Sequence, residues 1–176
     1  SLRKNFAMAC RAIGKTLAEG GHRLLVAHRY DKKGRPATSA EALALEGFQG
    51  TGSRNFEEIL QHAGDPELKP HTEAVERSDA VILVGGKEGT YAAGLSALLR
   101  RKMIIAIPAF GGSARDLCGI DEINRTVIDD LRNIDTFPSD WVSTLTKAIA
   151  REVASYPRIL IIHGRGDDGS TLQKKI

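Results

Sequence analysis

The sequence DAVILVGGKEGT occupies residues 79–90 of the chain. Its first half is a short apolar run, which is typical of a strand buried on both faces at the centre of a parallel sheet. The glycine-rich loop that follows leads into a helical segment at residues 90–102, and a second apolar run, MIIAIP, occupies residues 103–108. A strand, a glycine loop, a helix and another strand in this order predict a βαβ crossover between parallel strands.

The rest of the chain alternates between the same two patterns. Apolar residues recur at helical spacing over residues 2–17, 67–77, 121–132 and 141–155, and buried-type runs occupy residues 23–28 and 158–163. Residues 29–64 are irregular and rich in glycine, with short helices predicted near residues 40–45 and 56–62. This alternation predicts an α/β protein with a Rossmann-like, doubly wound, mainly parallel sheet and helices on both faces.

Composition excludes several classes of protein. The 176 residues carry a net charge of +3, and 41% of them are hydrophobic, which is ordinary for a globular α/β domain. No apolar run approaches the roughly 20 residues that span a bilayer, and the few aromatic residues do not interleave with basic ones. Cys10 and Cys118 are too few for a disulfide framework and lack metal-ligand spacing. We therefore expect a cytoplasmic protein that binds no membrane and no nucleic acid and carries no metal or cofactor.

The glycine loop and the start of the next helix form the strongest candidate site. Open α/β sheets bind ligands at the carboxyl ends of their strands, and the free backbone N–H groups of a helix N-terminus attract phosphate. Glycine lets the backbone approach an anion closely. The predicted ligand-binding residues here are Gly85, Gly86, Lys87, Glu88, Gly89 and Thr90, with Lys87 supplying charge and Thr90 capping the helix or bonding a phosphate oxygen. The alternative is a tight strand-to-helix turn without a ligand.

A second glycine turn follows the next predicted strand in the equivalent place, and it contributes Ser113 and Arg115 as candidate ligand-binding residues. Ser113 is a candidate N-cap, with Arg115 in the first helical turn. An arginine there is unfavourable for the helix dipole, so either a partner carboxylate or a bound phosphate would explain it.

Two more arginines are candidates for the same ligand. Arg29 lies in a basic loop at the end of the first predicted strand, where plain solvation is the alternative. Arg54 lies in a third glycine-containing turn, where Ser53 or Asn55 is alternatively the N-cap of a short helix.

Residues 78–90 resemble the SLOG superfamily, whose members include the LOG cytokinin-activating phosphoribohydrolases. The LOG motif reads Pro-Gly-Gly-x-Gly-Thr followed by a pair of glutamates. In this chain Val84 replaces the proline, and Ala92 and Ala93 stand where the glutamates would be. The family's catalytic arginine also has no clear match around residues 68–75. The resemblance, which covers residues 1–155, therefore implies nucleotide binding with no catalytic residue in this domain.

Residues 159–165, ILIIHGR, look like the opening strand of the TIR-like domains of bacterial nucleotide-signalling effectors. This resemblance divides the chain into two parts. The first is a SLOG-like domain at residues 1–156 that lacks its first strand, and the second is a linker with the start of a truncated TIR-like domain at residues 157–176. From the residues alone, the strand at 158–163 either completes the first sheet or opens a second domain.

A SLOG-like domain followed by a TIR-like domain resembles an antiphage effector. The resemblance implies that the SLOG-like part binds a nucleotide-derived second messenger, either a cyclic ADP-ribose-like molecule or a cyclic nucleotide, and that binding drives assembly of a homo-oligomer. Assembled TIR domains degrade NAD, but the catalytic glutamate of such a domain would lie beyond Ile176. We therefore expect this chain to bind a small nucleotide and not to hydrolyse NAD by itself.

Two alternatives stay open. A LOG-like nucleotide phosphoribohydrolase or related N-glycosidase would need a substitute acid, for which Glu88 is the candidate. A pure oligomerisation domain with a vestigial pocket is compatible with the scattered basic residues and with the small residues of the predicted helices. The hydrolase would release a free base from a nucleotide, whereas the oligomerisation domain would assemble without any ligand.

Overall fold

A computed structural model describes residues 2–27, 39–60, 69–123, 129, 131–132 and 139–162 of the chain. The strands of this part form one sheet: β1 (Arg23–Val26), β2 (Phe56–Glu58), β3 (Ala80–Val84), β4 (Met103–Ile107) and β5 (Arg158–Ile162). The helices are α1 (Leu2–Glu19), α2 (Ala40–Gln49), α3 (Lys69–Arg77), α4 (Glu88–Leu99), α5 (Gly112–Leu117) and α6 (Trp141–Val153), with a 3₁₀ turn at Pro108–Phe110. The helix predicted over residues 121–132 lies largely outside the described residues.

The five strands are all parallel and lie in the order β2-β1-β5-β3-β4. One face of the sheet packs against α1, α2 and α6, and the other face packs against α3, α4 and α5. Residues of β3 alternate between the two cores, with Ile82 in the first and Leu83 in the second. Burial on both faces explains the continuous apolar runs, and the predicted Rossmann-like, doubly wound fold is confirmed.

Strand β5 lies inside the sheet. It pairs with β1, where Leu25 is opposite Leu160, and with β3, where Ala80 is opposite Ile159. Of the two alternatives for this segment, its strand therefore completes the first sheet, which differs from a domain boundary at residue 156. Residues 163–176, where the TIR-like part was expected to continue, lie outside the described residues.

The segment that was predicted as a short helix near residues 56–62 begins instead with a strand. Phe56–Glu58 forms β2 and pairs with β1, with Leu24 opposite Phe56 and Val26 opposite Glu58. Three residues are too few to show a helical or a strand periodicity, so backbone pairing with β1 decides the conformation.

No helix among the described residues is long and apolar enough to cross a membrane.

Helices α1 and α2 cross at very short distance because each carries a glycine at the contact. A Cβ atom at Gly14 would collide with the backbone carbonyl of Ala44, and one at Gly47 would collide with the backbone carbonyl of Arg11. These neighbours are backbone atoms in helices, so they cannot move aside as a flexible side chain does. The crossing therefore requires glycine at both positions.

We expect Gly14→Ala to lower the free energy of unfolding by about 1–3 kcal/mol, since an added methyl group in a tightly packed contact forces the two helices apart. Gly119→Ala is the matched control, because a Cβ atom there would meet only Asp116 O at an ordinary 3.5 Å. The control should change stability by less than about 1 kcal/mol. Urea unfolding of both variants measures the difference in unfolding free energy. Equal losses of stability would contradict the requirement for glycine at the contact between α1 and α2.

Asp79 and Arg158 join β5 to β3 at the amino ends of the two strands. The Arg158 guanidinium donates hydrogen bonds to both carboxylate oxygens of Asp79, from Nε at 3.0 Å and from a terminal nitrogen at 2.8 Å. The backbone N–H of Arg158 donates to the same carboxylate at 2.9 Å. These hydrogen bonds hold the pKa of the Asp79 carboxyl below its ordinary value of 3.8.

We expect Asp79→Asn to destabilise the protein at neutral pH and to have a smaller effect in acid. A carboxyl whose pKa is lower in the folded state stabilises the fold above its unfolded-state pKa, and the contribution is lost as the pH falls through the folded-state pKa. The measurement is urea unfolding of wild type and variant from about pH 7 down to about pH 3, spanning the approach to that loss. A difference in unfolding free energy that stays constant over this range would show that the charge of Asp79 contributes nothing.

Candidate functional site

The glycine loop lies where the connections of the sheet diverge. From β1 the chain passes through α2 to β2 at one edge of the sheet, and from β3 it passes through α4 to β4 at the other edge. Strand β5 lies between these two halves, so the switch point of the topology is at the carboxyl ends of β1, β5 and β3. Doubly wound sheets bind ligands in the crevice at this point. Residues 85–87 follow β3 directly and therefore lie beside it.

Three hydrogen bonds from α5 hold the loop. Ala114 N–H donates to Gly85 O and Ser113 N–H donates to Gly86 O, both at 3.0 Å. The Ser113 hydroxyl donates to Lys87 O at 2.8 Å. We call these three hydrogen bonds the clasp. They fix three successive carbonyl groups of the loop against the start of α5.

The backbone of the clasp depends on glycine. Gly85 and Gly86 have φ angles of 60° and 81°, in the left-handed region that disfavours other residues. Gly112, with φ of 60°, lies so close to the loop that a Cβ atom would collide with Gly86 O and lie 2.9 Å from the Gly85 carbonyl carbon. Any side chain at position 112 would therefore push α5 away from the loop.

The clasp also sets the direction of the loop's amides. The described peptide bonds are trans, so each carbonyl group points opposite to the N–H group of the same peptide unit. Since the carbonyls of Gly85 and Gly86 point toward α5, the N–H groups of Gly86 and Lys87 point away from it. Helix α4 begins at Glu88, and within the described residues no backbone hydrogen bond satisfies the N–H groups of Glu88 and Gly89. Successive amides at a helix N-terminus form a favourable site for an anion.

The side chains of the loop differ in exposure. Lys87, which is the N-cap residue of α4, and Glu88 are both exposed. Thr90 is fully buried as the third residue of the helix, so it is not the N-cap. The helix begins two residues earlier than the sequence pattern predicts, because glycine at position 89 does not prevent a helical first turn.

Ser113 and Arg115 both lie on α5, and only Ser113 contacts the loop through a described hydrogen bond. Gly111 is the N-cap of α5, and Ser113 is the second residue of the helix with its hydroxyl turned to Lys87 O. Arg115 donates from Nε to Pro108 O at 2.9 Å, which holds the 3₁₀ turn after β4. Ser113 thus supports the loop directly, whereas Arg115 supports the turn that precedes α5.

Of the other two candidate arginines, only Arg54 is among the described residues, and it lies away from the loop. Arg54 precedes β2 and lies at the amino edge of the sheet, opposite the edge that holds the loop. Asn55 caps no helix, since its side-chain amide donates to His22 O and its backbone carbonyl accepts from Leu24 N–H. Arg54 therefore does not adjoin the loop, and Arg29 lies outside the described residues.

In the described part of the chain, no cluster of His, Cys, Asp and Glu could hold a metal ion. Burial raises the pKa of the Cys10 thiol, so it stays protonated in the core. The Cys118 thiol donates to Ala114 O at 3.2 Å. The chemistry that the loop's outward amides offer is hydrogen bonding to an anion.

The sequence reading missed the clasp, although its signal was present. Two glycine turns follow adjacent parallel strands, so they lie at the same edge of the sheet and can contact one another.

Comparisons with protein-family models, curated proteins and solved structures find no match to this chain.

We expect Ser113→Ala to loosen the clasp by removing the hydroxyl that bonds Lys87 O. A lost hydrogen bond of this kind costs about 1 kcal/mol, so hydrogen exchange at the amides of residues 113 and 114 should become about fivefold faster. Ser78→Ala is the matched control, because that buried hydroxyl bonds Val75 O at 2.9 Å at the end of α3. Equal acceleration at these two amides in both variants would indicate a general loss of stability and contradict a local clasp.

Proposed function

We propose that this chain is a sensor module that binds a nucleotide through its phosphate or pyrophosphate at residues 85–90. The observation that carries the proposal is the clasp, which holds the loop's carbonyls toward α5 and turns the amides of Gly86 and Lys87 the other way. Those amides continue into the N-terminus of α4, where the positive end of the helix dipole also favours an anion. Lys87 adds an exposed positive charge beside them.

The position of the loop supports a nucleotide over a free phosphate ion. The carboxyl ends of β1 and β5 lie along the same edge as the end of β3, so a ligand with its phosphate on the loop can extend across them. Ala92 and Ala93 stand where the LOG motif has its pair of glutamates, and Ala93 is buried in the core under α4. A carboxylate for ribosyl chemistry is thus missing at both positions, which favours binding over hydrolysis.

The resemblance to SLOG and TIR-like domains extends the proposal to a pathway role. The ligand is a second messenger of the cyclic ADP-ribose-like or cyclic nucleotide class, and binding drives assembly and activation of a TIR-type NADase in antiphage defence. Such a response requires the ligand to bind the assembled state more tightly than the resting state, because a ligand shifts only an equilibrium between states that it binds unequally.

We expect isothermal titration calorimetry to detect at least one ligand among the ADP-ribose isomers and the cyclic nucleotides, with competition by inorganic pyrophosphate. Lys87→Ala should weaken binding about tenfold, since a charge-assisted contact with phosphate contributes about 1.4 kcal/mol. Lys147→Ala is the matched control, because Lys147 is an exposed lysine on α6. The proposal fails if none of these ligands binds more tightly than millimolar.

The hydrolase alternative is tested in the same samples by chromatography of the incubated nucleotides. Release of a free base that is lost in Glu88→Gln would replace the sensor with an N-glycosidase. Under the sensor proposal the nucleotides are recovered intact after incubation with the protein.

A further inference from the structure

The candidate ligand loop carries two charged side chains of opposite sign. Residues 85–90 contain Lys87 and Glu88 and no other ionisable residue. Both side chains are exposed, with Lys87 as the N-cap residue of α4 and Glu88 as its first residue. The remaining residues of the loop present no further side-chain donor at its surface, because three of them are glycine and Thr90 is fully buried. The loop's attraction for an anion therefore comes mainly from its backbone.

Glu88 lies where its carboxylate acts on any anion that the loop binds. In a helix the Cα–Cβ bond is tilted toward the N-terminus, so the side chain of the first residue extends beside the first amides of α4. Those amides belong to Glu88 itself and to Gly89, and no backbone hydrogen bond engages them within the described residues. Glu88 also forms no ion pair with the described residues. An anion on the loop is therefore attracted by the backbone and repelled by this carboxylate.

The attraction that remains suits one negative charge better than two. The opposite charges of Lys87 and Glu88 largely offset each other, which leaves the positive end of the α4 dipole, equivalent to about half an elementary charge. Attraction to this end grows in proportion to the charge of the anion, whereas the cost of taking the anion out of water grows with the square of its charge. A phosphodiester or bridging pyrophosphate has one negative charge on each phosphate, but a terminal phosphate has about 1.5 to 2 at pH 7.

We propose that Glu88 is a specificity-determining residue, through which the loop selects a phosphodiester or a bridging pyrophosphate over a terminal phosphate. This inference rests on the proposed function, because it concerns the ligand of the same loop. It narrows that ligand to cyclic nucleotides and to ADP-ribose-like molecules without a terminal phosphate, and it disfavours nucleoside 5′-monophosphates. Inorganic pyrophosphate, in which both phosphates are terminal, should compete for the loop only weakly.

Calorimetry with 3′,5′-cyclic AMP and 5′-AMP tests the proposal, because these nucleotides share base and ribose and differ in the charge of the phosphate. The wild-type chain should bind cyclic AMP more tightly than 5′-AMP. Glu88→Gln should strengthen the binding of 5′-AMP about tenfold and that of cyclic AMP about threefold, because repulsion by the carboxylate grows with the charge of the ligand. ADP-ribose and ADP form a second pair, of which only ADP ends in a terminal phosphate.

Glu19→Gln is the matched control. The side chain of Glu19 is exposed at the C-terminal end of α1, beside Lys15, at the edge of the sheet opposite the loop. Its replacement removes one negative charge from the protein, as Glu88→Gln does, and should leave the ratio of the two affinities unchanged. Circular dichroism of both variants checks that they fold.

Three outcomes would overturn the role of Glu88 and leave the proposed ligand site in place. These are a wild-type preference for 5′-AMP, an equal gain in affinity for both nucleotides in Glu88→Gln, and the same change of ratio in Glu19→Gln. If none of the four nucleotides binds more tightly than millimolar, this proposal also fails. The wider screen of ADP-ribose isomers and cyclic nucleotides then decides separately whether the proposed function fails with it.

Discussion

Strand β5 must satisfy its backbone N–H and C=O groups along both of its edges, because β1 lies on one side and β3 on the other. In the described part of the sheet, β1 and β3 do not pair with each other, so β5 joins the β1–β2 half to the β3–β4 half. Its side chains are buried on both faces, with Ile161 in the core under α1, α2 and α6 and Leu160 in the opposite core. Both cores therefore depend on the same strand.

The position of β5 also defines the candidate site. The crossovers diverge from it, so the crevice at its carboxyl end is bounded by the end of β1 and by the glycine loop after β3. The clasp also shows that the glycine turn after β3 and the glycine turn before α5 have different roles. The amides of Ser113 and Ala114 in α5 already bond the carbonyls of Gly86 and Gly85, so they are not available to a phosphate. The second turn supports the loop, which leaves the N-terminus of α4 as the proposed anion site.

Sequence patterns predicted the parts of this fold that depend on local contacts. The βαβ unit at residues 79–108 and the doubly wound class followed from apolar runs and helical spacing, which each segment carries within itself. The place of β5 could not be predicted, because RILII shows that the strand is buried and not which neighbours it has. The sequence of Phe56–Glu58 does not indicate a strand either, since a segment of three residues is too short to show a period.

The candidate site residues show the same distinction between positions set by local contacts and positions set by long-range contacts. The loop at residues 85–90 was identifiable because its position depends only on the strand before it and the helix after it. Arg54 was misplaced because a turn in the sequence does not reveal which edge of the sheet it occupies, and that depends on the direction of β2. Ser113 was predicted as an N-cap, but Gly111 is the N-cap of α5, and the bond from Ser113 to Lys87 O depends on the separation of the loop and α5 in space. Long-range geometry of this kind leaves no periodic trace in the sequence.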